Sequence, residues 1–208
     1  MSLAYRISEW NRKRKWQRFV KIFPQQPESR ILDVGFNAIE YSGTDNFLEK
    51  KYPYPQNITA LGIDDPTEFK KKYPQVKAIQ YEGKIFPFKD NSFDLCWSNA
   101  VIEHVGNFQR QIEFLKEIKR TCKHGYITTP NKFFPIEVHT RVPLLHFLPK
   151  SLFDSFLRLI GKDWATGSYM SLLSKKELNL ALQKAGIQEY TIYQNKLFGF
   201  TLDFVVSW

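Results

Sequence analysis

Cysteine and long apolar runs are scarce in this sequence of 208 residues. Its two cysteines, Cys96 and Cys122, are too few for a disulfide framework or a four-cysteine zinc site. The most apolar stretch, residues 142–160, is interrupted by charged residues and a proline before it reaches the roughly 18 residues of a membrane span. The first residues also lack the apolar core and cleavage site of a signal peptide. We therefore expect a soluble protein in a reducing, cytoplasmic compartment.

Net positive charge is small outside the start of the chain. The formal net charge is +9, and residues 1–21 supply most of it, with seven basic side chains against the one acid Glu9. Binding to nucleic acid over a large footprint needs dispersed basic residues, so nucleic acid is not an expected partner. Residues 1–24 are predicted to form a basic helical arm that docks its aromatic side on the domain of residues 25–208, rather than lying on a membrane or a nucleic acid.

Five β-rich segments and one strong helix indicate a parallel sheet. The strands are predicted at about residues 30–35, 58–64, 76–81, 93–98 and 125–129. Between the last two, residues 108–119 carry apolar side chains at helical spacing, and Gly125 is predicted to stop that helix. Strands that alternate with helices are typical of a doubly wound, Rossmann-like α/β fold, with a mostly parallel sheet and helices on both faces.

The pattern changes after Pro130. Residues 132–170 are aromatic and proline-rich, and too apolar for a plain loop, so they are predicted to form an insert with a helix over 151–160. Two β-rich runs near the end, 190–193 and 200–206, are predicted to pair antiparallel at an edge of the sheet, joined through residues 195–199. They complete a sheet of seven strands.

A further helix is predicted between the insert and the last two strands. Ser174 and Glu177 have the spacing of a capping box, in which each residue satisfies a backbone N–H group of the other. Leu178, Leu182 and Ala185 follow it, and Gly186 is placed to close the helix.

Acidic residues follow the first two predicted strands. Asp33-Val-Gly35 ends the first strand, and the backbone N–H groups after it can hold a negatively charged group of a ligand. Asp64, at the end of the second strand, has the position and reach to accept hydrogen bonds from the two hydroxyls of a ribose. The alternative is that Asp64 and Asp65 only cap the next helix, which Pro66 opens.

Five segments follow one another in order: ILDVG at 31–35, LGID at 61–64, FPFKDNSFD at 86–94, SNAVIEHV at 98–105 and TTPN at 128–131. This series resembles the class I methyltransferases that use S-adenosylmethionine, specifically those of the small-molecule, type 11 kind. The resemblance implies a methyl transfer from S-adenosylmethionine to a small-molecule or a lipid- or sugar-linked acceptor.

The resemblance also implies roles for individual residues. Asp33 and Gly35 would approach the methionine part of the cofactor, with Asn37 in the loop that follows. Asp64, with Asp65 beside it, would bind the ribose, and Glu82 would lie near the adenine. Two further cofactor residues, Ser98 and Asn99, would flank the sulfonium and the incoming acceptor.

Two glycines of the family's first motif are absent. The family continues this motif as GxGxG, but here Gly35 is followed by Phe36-Asn37-Ala38-Ile39. Glycine allows close approach to a ligand and positive φ, so Asn37 and Ile39 must either narrow the pocket or reroute the loop. Asn37 tolerates a left-handed backbone better than most residues, whereas Ile39 does not. A chain of this fold that no longer binds the cofactor is therefore the alternative hypothesis.

Histidines are the candidate catalytic residues. A general base helps methyl transfer to a hydroxyl, and His104 and His139 are the two candidates, each with the alternative of a structural role. His139 lies in the insert, which resembles the substrate-covering segment of the family. Arg141 and His146, in the same insert, are candidate substrate-binding residues, Arg141 for an anionic group.

The sequence offers two alternatives to methylation of a small-molecule or a lipid- or sugar-linked acceptor. A non-catalytic protein of the same fold would act through its basic arm as a binding or assembly partner. Methylation of RNA is disfavoured, because Thr128-Thr-Pro-Asn131 lacks the Asn-Pro-Pro-aromatic signature used for base amino groups. Transient contact with a membrane surface, through the apolar stretch 142–160, is expected if the acceptor is linked to a lipid.

Overall fold

The computed structural model describes residues 3–137, 140–167 and 170–208, with side chains from residue 5 onward. The helices within these residues are α1 (Leu3–Ile22), α2 (Phe47–Lys51), α3 (Thr67–Lys72), α4 (Phe108–Thr121), α5 (Lys150–Leu159) and α6 (Lys175–Lys184). The strands are β1 (Ile31–Val34), β2 (Ile58–Gly62), β3 (Lys77–Gln80), β4 (Phe93–Asn99), β5 (Cys122–Pro130), β6 (Thr191–Leu197) and β7 (Phe200–Ser207). Each predicted element is present, with ends shifted by a few residues.

The strands form one seven-stranded sheet in the order β3-β2-β1-β4-β5-β7-β6. Strand β1 pairs in parallel with both β2 and β4, and β2 pairs in parallel with β3. Because the chain lays down β1, β2 and β3 outward and then returns to place β4 on the other side of β1, the strand order reverses between β1 and β4. The predicted doubly wound, Rossmann-like fold is confirmed.

The last two strands are joined by a tight hairpin turn. Phe198 and Gly199 are its two central residues, and both have positive φ, at 49° and 83°. This geometry is that of the turns whose twist suits an antiparallel hairpin. The prediction that the connection begins at Asn195 was wrong by a few residues. Asn195 lies within β6, and its buried side chain donates to Asp203 Oδ1 at 2.8 Å.

The chain divides into two compact units, which are described separately. The first comprises Met1–Asn99, Glu117–Ile127 and Ser207–Trp208, and the second comprises Ala100–Lys116 and Thr128–Val206.

In the first unit, the basic helix α1 packs its aromatic side against strands β4 and β5. The Phe19 ring is fully buried, with its centroid 4.9 Å from that of Trp97 and 5.2 Å from that of Tyr126. Trp16 stacks on Phe19 at 5.5 Å, and the Tyr126 hydroxyl donates to the Lys15 carbonyl at 2.7 Å. The cluster of large rings holds this helix, which is otherwise rich in lysine and arginine, against the sheet.

Gly125 does not stop a helix, contrary to the sequence prediction. Helix α4 ends at Thr121 and the chain enters β5 at Cys122, so Gly125 lies within the strand. The Trp208 ring occupies the space beside it: a Cβ atom at position 125 would lie 2.2 Å from Trp208 Cζ2. The glycine is therefore required by close packing of a side chain on the backbone, not by helix termination.

The second unit contains the insert and α6. Helix α5 turns Phe153 and Leu157 into a small apolar core with Val142 and Ala165. The capping box at α6 is confirmed, because Glu177 N–H donates to Ser174 Oγ and Ser174 N–H donates to Glu177 Oε2 at 2.8 Å. Across the three described stretches, every helix falls short of the length and apolarity that a membrane crossing requires.

Candidate functional site

The carboxyl ends of β1 to β4 lie level with one another in the first unit. Gly35 N–H donates to the Leu61 carbonyl at 2.8 Å, and Tyr81 N–H donates to the Gly62 carbonyl at 2.9 Å, so the parallel pairing extends just beyond the strands. Asp33 is aligned with Trp97 across the β1–β4 pair. The strand order reverses at this pair, which is where ligands bind in open α/β sheets.

The loop after β1 is rerouted rather than narrowed. Gly35 takes a φ of 100°, a conformation that favours glycine, and the chain then turns the Phe36 side chain into the core. The Phe36 ring lies against Gly62, where a Cβ atom would come within 2.6 Å of it, and its centroid is 4.6 Å from that of Phe69. Ile39, which replaces the last glycine of the family motif, points outward and is 58% exposed.

Asn46 holds the rerouted loop in place. Its Oδ1 accepts from Asn37 N–H at 2.8 Å, and its Nδ2 donates to the Asn37 carbonyl at 2.9 Å. Asn46 itself has a left-handed backbone, with a φ of 45°, immediately before α2. The predicted cofactor residue Asn37 is thus exposed at the surface, with both backbone polar groups used by one side chain.

A network around Glu40 ties the same loop to α2 and α3. Glu40 accepts hydrogen bonds from Lys50, Lys72, Tyr73 and Asn46, and its contact with Lys50 Nζ is 2.8 Å. Burial would raise the pKa of Glu40, but the four donors outweigh it and lower the pKa to about 2. The glutamate is therefore ionised at neutral pH and anchors the loop.

Two carboxyl groups on the elements before and after this loop are buried. Asp33 on β1 is 5% exposed and Glu49 on α2 is 6% exposed. Burial, followed by the charge of Glu49, raises the pKa of Asp33 well above its usual value, and burial also raises the pKa of Glu49. Within the described part of the chain, no donor group satisfies either carboxylate oxygen of Glu49. Such a pair favours a shared proton or a bound cation.

The predicted ribose and adenine residues lie exposed at the ends of β2 and β3. Asp64 is exposed, and its carboxylate takes part in no hydrogen bond among the described residues. Asp65 instead accepts from the N–H group of Thr67, the first residue of α3, at 2.7 Å, and the N-cap position itself is Pro66. Glu82 is exposed shortly after β3, and its neighbour Gly83 lies against the exposed side chain of Ile63, which follows β2.

The loop that follows Glu82 is fastened to α4. Arg120 donates to the carbonyl groups of Phe86 and Phe88, at 3.0 and 2.7 Å. Glu117 accepts from Phe86 N–H at 2.8 Å and pairs with Arg120 at 2.6 Å. The charge-assisted bonds hold the segment between β3 and β4 in one conformation.

Ser98 and Asn99 end β4 at the same edge of the sheet. Ser98 is fully buried, and its hydroxyl donates to the Val34 carbonyl at 3.3 Å. Asn99 is half-buried. Ser98 therefore links the ends of β4 and β1, and its hydroxyl hydrogen is already donated to a backbone carbonyl.

The second unit contains a largely apolar cavity of about 600 Å³. Its lining residues are Phe108, Gln111, Lys132, Glu137, His146, Leu148, Lys150, Phe153, Ala165, Met170, Ser171, Leu172, Leu173, Glu177 and Leu180. Lys132 is paired with Glu177 at 2.9 Å, and buried Glu137 accepts from the Thr140 hydroxyl at 2.6 Å. The cavity thus combines apolar walls with polar groups that are mostly paired.

His146 is the candidate residue that the structure places on this cavity. Its Nδ1 atom is buried and has no hydrogen-bond partner among the described residues, and its ring lies 4.1 Å from that of Phe147. Burial lowers the pKa of His146, although the charge of nearby Glu137 acts in the opposite direction. The imidazole is therefore neutral at pH 7 and able to accept a hydrogen bond or a proton.

The other candidates of the second unit lie elsewhere. His104 is exposed at the end of a short 3-10 turn, Ile102–His104. Arg141 is exposed with a φ of 59°, and its backbone N–H donates to the Glu137 carbonyl at 2.6 Å. His139 lies outside the described residues.

Several residues of interest were not predicted from the sequence. Glu49 stands in a run with Lys50 and Lys51, a pattern that usually marks a solvated helix face, and nothing local indicates its burial. Glu103 is fully buried and accepts from the Thr129 hydroxyl at 3.1 Å. The only available signal for Glu103 was its place in the SNAVIEHV segment, beside His104.

Comparison with known proteins agrees with the fold. Residues 42–128 match the family model of a methyltransferase domain, so the match begins just after the rerouted loop. A methyltransferase from Mesorhizobium loti has a TM-score of 0.61 at 12% identity, covering 93% of this chain and 96% of that one. One from Thermotoga maritima has a TM-score of 0.61 at 18% identity, covering 99% and 90%. Both are described as dependent on S-adenosylmethionine, and at these identities the likeness shows the fold.

A curated relative is similar over part of the chain. An uncharacterized protein of Methanocaldococcus jannaschii is 34% identical over 101 residues, which are 48% of this chain and 42% of that protein. The matched region therefore spans less than half of the relative's length.

The fold is Rossmann-like, and residues 42–128 within it match a methyltransferase domain. The site residues are compatible with S-adenosylmethionine, because the exposed carboxylate of Asp64 suits ribose hydroxyls.

Proposed function

We propose that the protein transfers a methyl group from S-adenosylmethionine to a small-molecule or a lipid- or sugar-linked acceptor. The observation that carries this proposal is the set of carboxylates at the ends of β1 and β2. Buried Asp33 matches the positively charged methionine part of the cofactor, and exposed Asp64 matches its ribose hydroxyls. When bound, S-adenosylmethionine supplies a methyl group already activated on a sulfonium. The protein has to bind, orient and desolvate the reactants.

Each predicted cofactor residue has a distinct task in this proposal. Asp64 accepts the ribose hydroxyls, and Glu82 accepts from the adenine amino group, with Asp65 fixing the loop between them. Asp33, Gly35 and Asn37 hold the methionine part, and Ser98 and Asn99 close the end of β4 beside it. Carboxylates are suited to this work because a charged acceptor makes stronger hydrogen bonds than a neutral one.

The cavity of the second unit supports an amphiphilic acceptor. Most of its walls are apolar, and its charged or titratable lining residues are Lys132, Glu137, His146, Lys150 and Glu177. In our proposal His146 and Arg141 contact the acceptor, and His104 or His139 removes a proton if the acceptor is a hydroxyl. His146 is the residue of this set that lines the cavity, with a half-buried ring whose pKa is lowered by burial.

The insert exposes an unusual number of large apolar side chains. Leu152 and Leu159 on α5 are 57% and 83% exposed, and Trp164 beyond the helix is 53% exposed. Basic Lys150 and Arg158 are on the same helix, and its acid Asp154 is buried and paired with Lys150 at 3.0 Å. An apolar surface with exposed cations fits the interface of an anionic membrane, which supports a lipid-linked acceptor.

Transfer of labelled methyl groups tests the activity. The protein is incubated with S-adenosylmethionine labelled in its methyl group and either a lipid extract or an aqueous metabolite extract, and the label is followed by phase separation and mass spectrometry. We expect label in a lipid product, and none with the D64A variant. Label in an aqueous product would support methyltransferase activity and would reject a lipid-linked acceptor. No label in either extract, despite cofactor binding, would favour the non-catalytic alternative.

Vesicle sedimentation tests the membrane contact separately. We expect binding to vesicles of phosphatidylcholine and phosphatidylglycerol, weaker binding to phosphatidylcholine alone, and loss of binding in the double variant L152E/L159E. Phe198→Glu is the control, because Phe198 is 87% exposed on the hairpin turn outside the insert. Equal binding by the double variant and the control would reject the insert as the membrane contact.

A further inference from the structure

The cavity of the second unit has a charge-balanced lining. Its charged side chains are two lysines and two glutamates, Lys132, Lys150, Glu137 and Glu177. Lys132 Nζ pairs with Glu177 Oε1 at 2.9 Å, and Lys150 Nζ pairs with Asp154 Oδ1 at 3.0 Å. Both lysines of the lining are therefore already engaged by acids of this chain.

The acids of the lining are engaged as well. Burial would raise the pKa of Glu177, but hydrogen bonds from Ser174 and Lys132 outweigh it and lower that pKa to about 2, so Glu177 is ionised at neutral pH. The buried carboxylate of Glu137 accepts from the hydroxyl and the backbone N–H group of Thr140. A charged ligand would have to break one of these contacts and lose its own hydration, which costs free energy.

Two uncharged polar side chains of the lining keep hydrogen-bonding capacity. Gln111 is 1% exposed, and its Nε2 atom donates to the carbonyl groups of Ile102 and Ser171 at 3.1 and 2.7 Å. Its amide oxygen accepts from no group in the described stretches. The Nδ1 atom of His146 is also buried without a partner among those residues. Buried groups of this kind are normally hydrogen-bonded, so they favour a ligand that carries hydroxyl donors.

We propose that this cavity selects an uncharged amphiphile that carries hydroxyl groups. The apolar part of the ligand lies against Phe108, Phe153 and Leu173, and its hydroxyl groups donate to Gln111 and His146. A volume of about 600 Å³, with mostly apolar walls and a few polar groups, suits such a ligand. The inference rests on the proposed function, because it names the chemical class of the part of the acceptor that enters this cavity.

Three amphiphiles with the same alkyl chain test the selection by charge. At pH 7 octyl glucoside is uncharged, octyl phosphate is an anion and octylammonium is a cation. Calorimetry of the full chain measures each of them below the concentration at which it forms micelles. We expect octyl glucoside to bind at one site, at least about tenfold more tightly than either charged probe, because the charged groups of the described lining already have partners. Tighter binding of a charged probe, or binding of none of the three, would overturn the proposal.

Two variants locate the bound probe. Leu180 lines the cavity from α6 and is 43% exposed, so a larger ring at this position fills the cavity without entering the core. We expect the affinity for octyl glucoside to fall at least about tenfold in L180W. In H146F, which keeps a ring but loses both nitrogen atoms, we expect a fall of at least about threefold. Unchanged affinity in either variant would contradict the assigned site.

Glu177→Gln should shift the selectivity in a defined direction. The variant removes the acid that holds Lys132, so the lysine becomes available to an anion. We expect octyl phosphate to bind at least about fivefold more tightly than it binds the wild type, and octyl glucoside to stay within about twofold. Ser174→Ala is the matched control, because it breaks the same capping box but keeps the Lys132–Glu177 pair.

A second control corrects for net charge. Glu189→Gln removes one negative charge at an exposed residue outside the cavity lining. An affinity for octyl phosphate that rises equally in E177Q and E189Q would show that the ion pair does not decide the selectivity, and would overturn the proposal.

Failure of this inference is distinguishable from failure of the proposed function. The probes are measured without S-adenosylmethionine, whereas the proposed function is tested by transfer of labelled methyl groups. Methyl transfer by a protein that prefers a charged probe would reject selection of an uncharged acceptor and leave the proposed activity standing. Absence of methyl transfer from a protein with the expected selectivity would reject the activity and support a binding cavity for uncharged amphiphiles.

Discussion

The Phe36 ring occupies the space that a side chain at Gly62 would need. A Cβ atom at position 62 would lie 2.6 Å from Phe36 Cε1, closer than real Cβ contacts come. Phe36, which follows Gly35, can thus pack into the core because Gly62 on the neighbouring strand has no side chain. The rerouted loop depends on this fit.

Gly62→Ala should therefore destabilise the protein. The added methyl group displaces the Phe36 ring, which also packs on Phe69, and we expect a loss of about 1–3 kcal/mol in the free energy of unfolding. Urea denaturation measures it. Gly43→Ala is the control, because nothing lies within 4 Å of a Cβ atom there. In the double variant F36A/G62A the two losses should be less than additive, and strict additivity would show that the residues do not interact.

Asp64→Ala should weaken cofactor binding. Its exposed carboxylate is free of hydrogen bonds in the described chain, and losing bonds to a charged acceptor costs about 1–3 kcal/mol of binding free energy. Titration with S-adenosylhomocysteine measures the change. Asp65→Ala should have a smaller effect on affinity, because Asp65 already accepts from Thr67. An affinity unchanged by Asp64→Ala would remove Asp64 from the site.

Glu40→Gln should destabilise the protein in a way that depends on pH. The folded pKa of Glu40 is lowered to about 2, below the ordinary value near 4.5, so its contribution is complete above pH 4.5 and is lost as pH falls toward 2. At pH 7 we expect a loss of about 1–2 kcal/mol in E40Q. Thermal unfolding from pH 2.5 to 7 provides the measurement. A gap between E40Q and wild type that is as large at pH 2.5 as at pH 7 would contradict this explanation.

Ser174→Ala should shorten or fray α6. It removes one half of the capping box, and the expected loss is about 1 kcal/mol of folding free energy. Chemical denaturation measures it, with Ser155→Ala as the control because Ser155 is exposed within α5 and caps no helix. Similar losses in both variants would show that the effect is not due to capping.

His146→Ala should impair use of the acceptor without weakening the cofactor. The ring lies on the cavity of the second unit, so we expect a raised KM for the acceptor and a Kd for S-adenosylhomocysteine within about twofold of the wild type. His124→Ala is the control, because His124 is exposed at the start of β5. A fall in cofactor affinity equal to the loss of turnover would show that His146 stabilises the fold and does not contact the acceptor.

The sequence allowed the sheet to be predicted because each strand is a short apolar run between turn residues. Ile31–Val34 and Phe93–Asn99 differ little from the predicted strands. The structural role of Gly125 could not be predicted, because the residue packed against it, Trp208, is 83 residues away in sequence. A local pattern carries no information on such a contact.

The candidate site was also predictable only in part from the sequence. Asp33 and Asp64 follow strands and could be predicted from position alone, whereas Glu49 and Phe36 owe their burial to neighbours that are distant in sequence. The sequence showed that Ile39 could not adopt the glycine conformation, but not whether the pocket would narrow or the loop would move. The hydrogen bonds of Asn46 and the packing of Phe36 show that the loop moved.

Calorimetric titration of the wild type with S-adenosylmethionine tests the central claim most directly. The claim is that a loop with two glycines replaced still leaves a working cofactor site at the ends of β1 and β2. We predict one binding site per chain with a Kd on the order of 10 μM or tighter, a free energy near −7 kcal/mol. Absence of binding at about 1 mM ligand, from a protein shown to be folded, would contradict it.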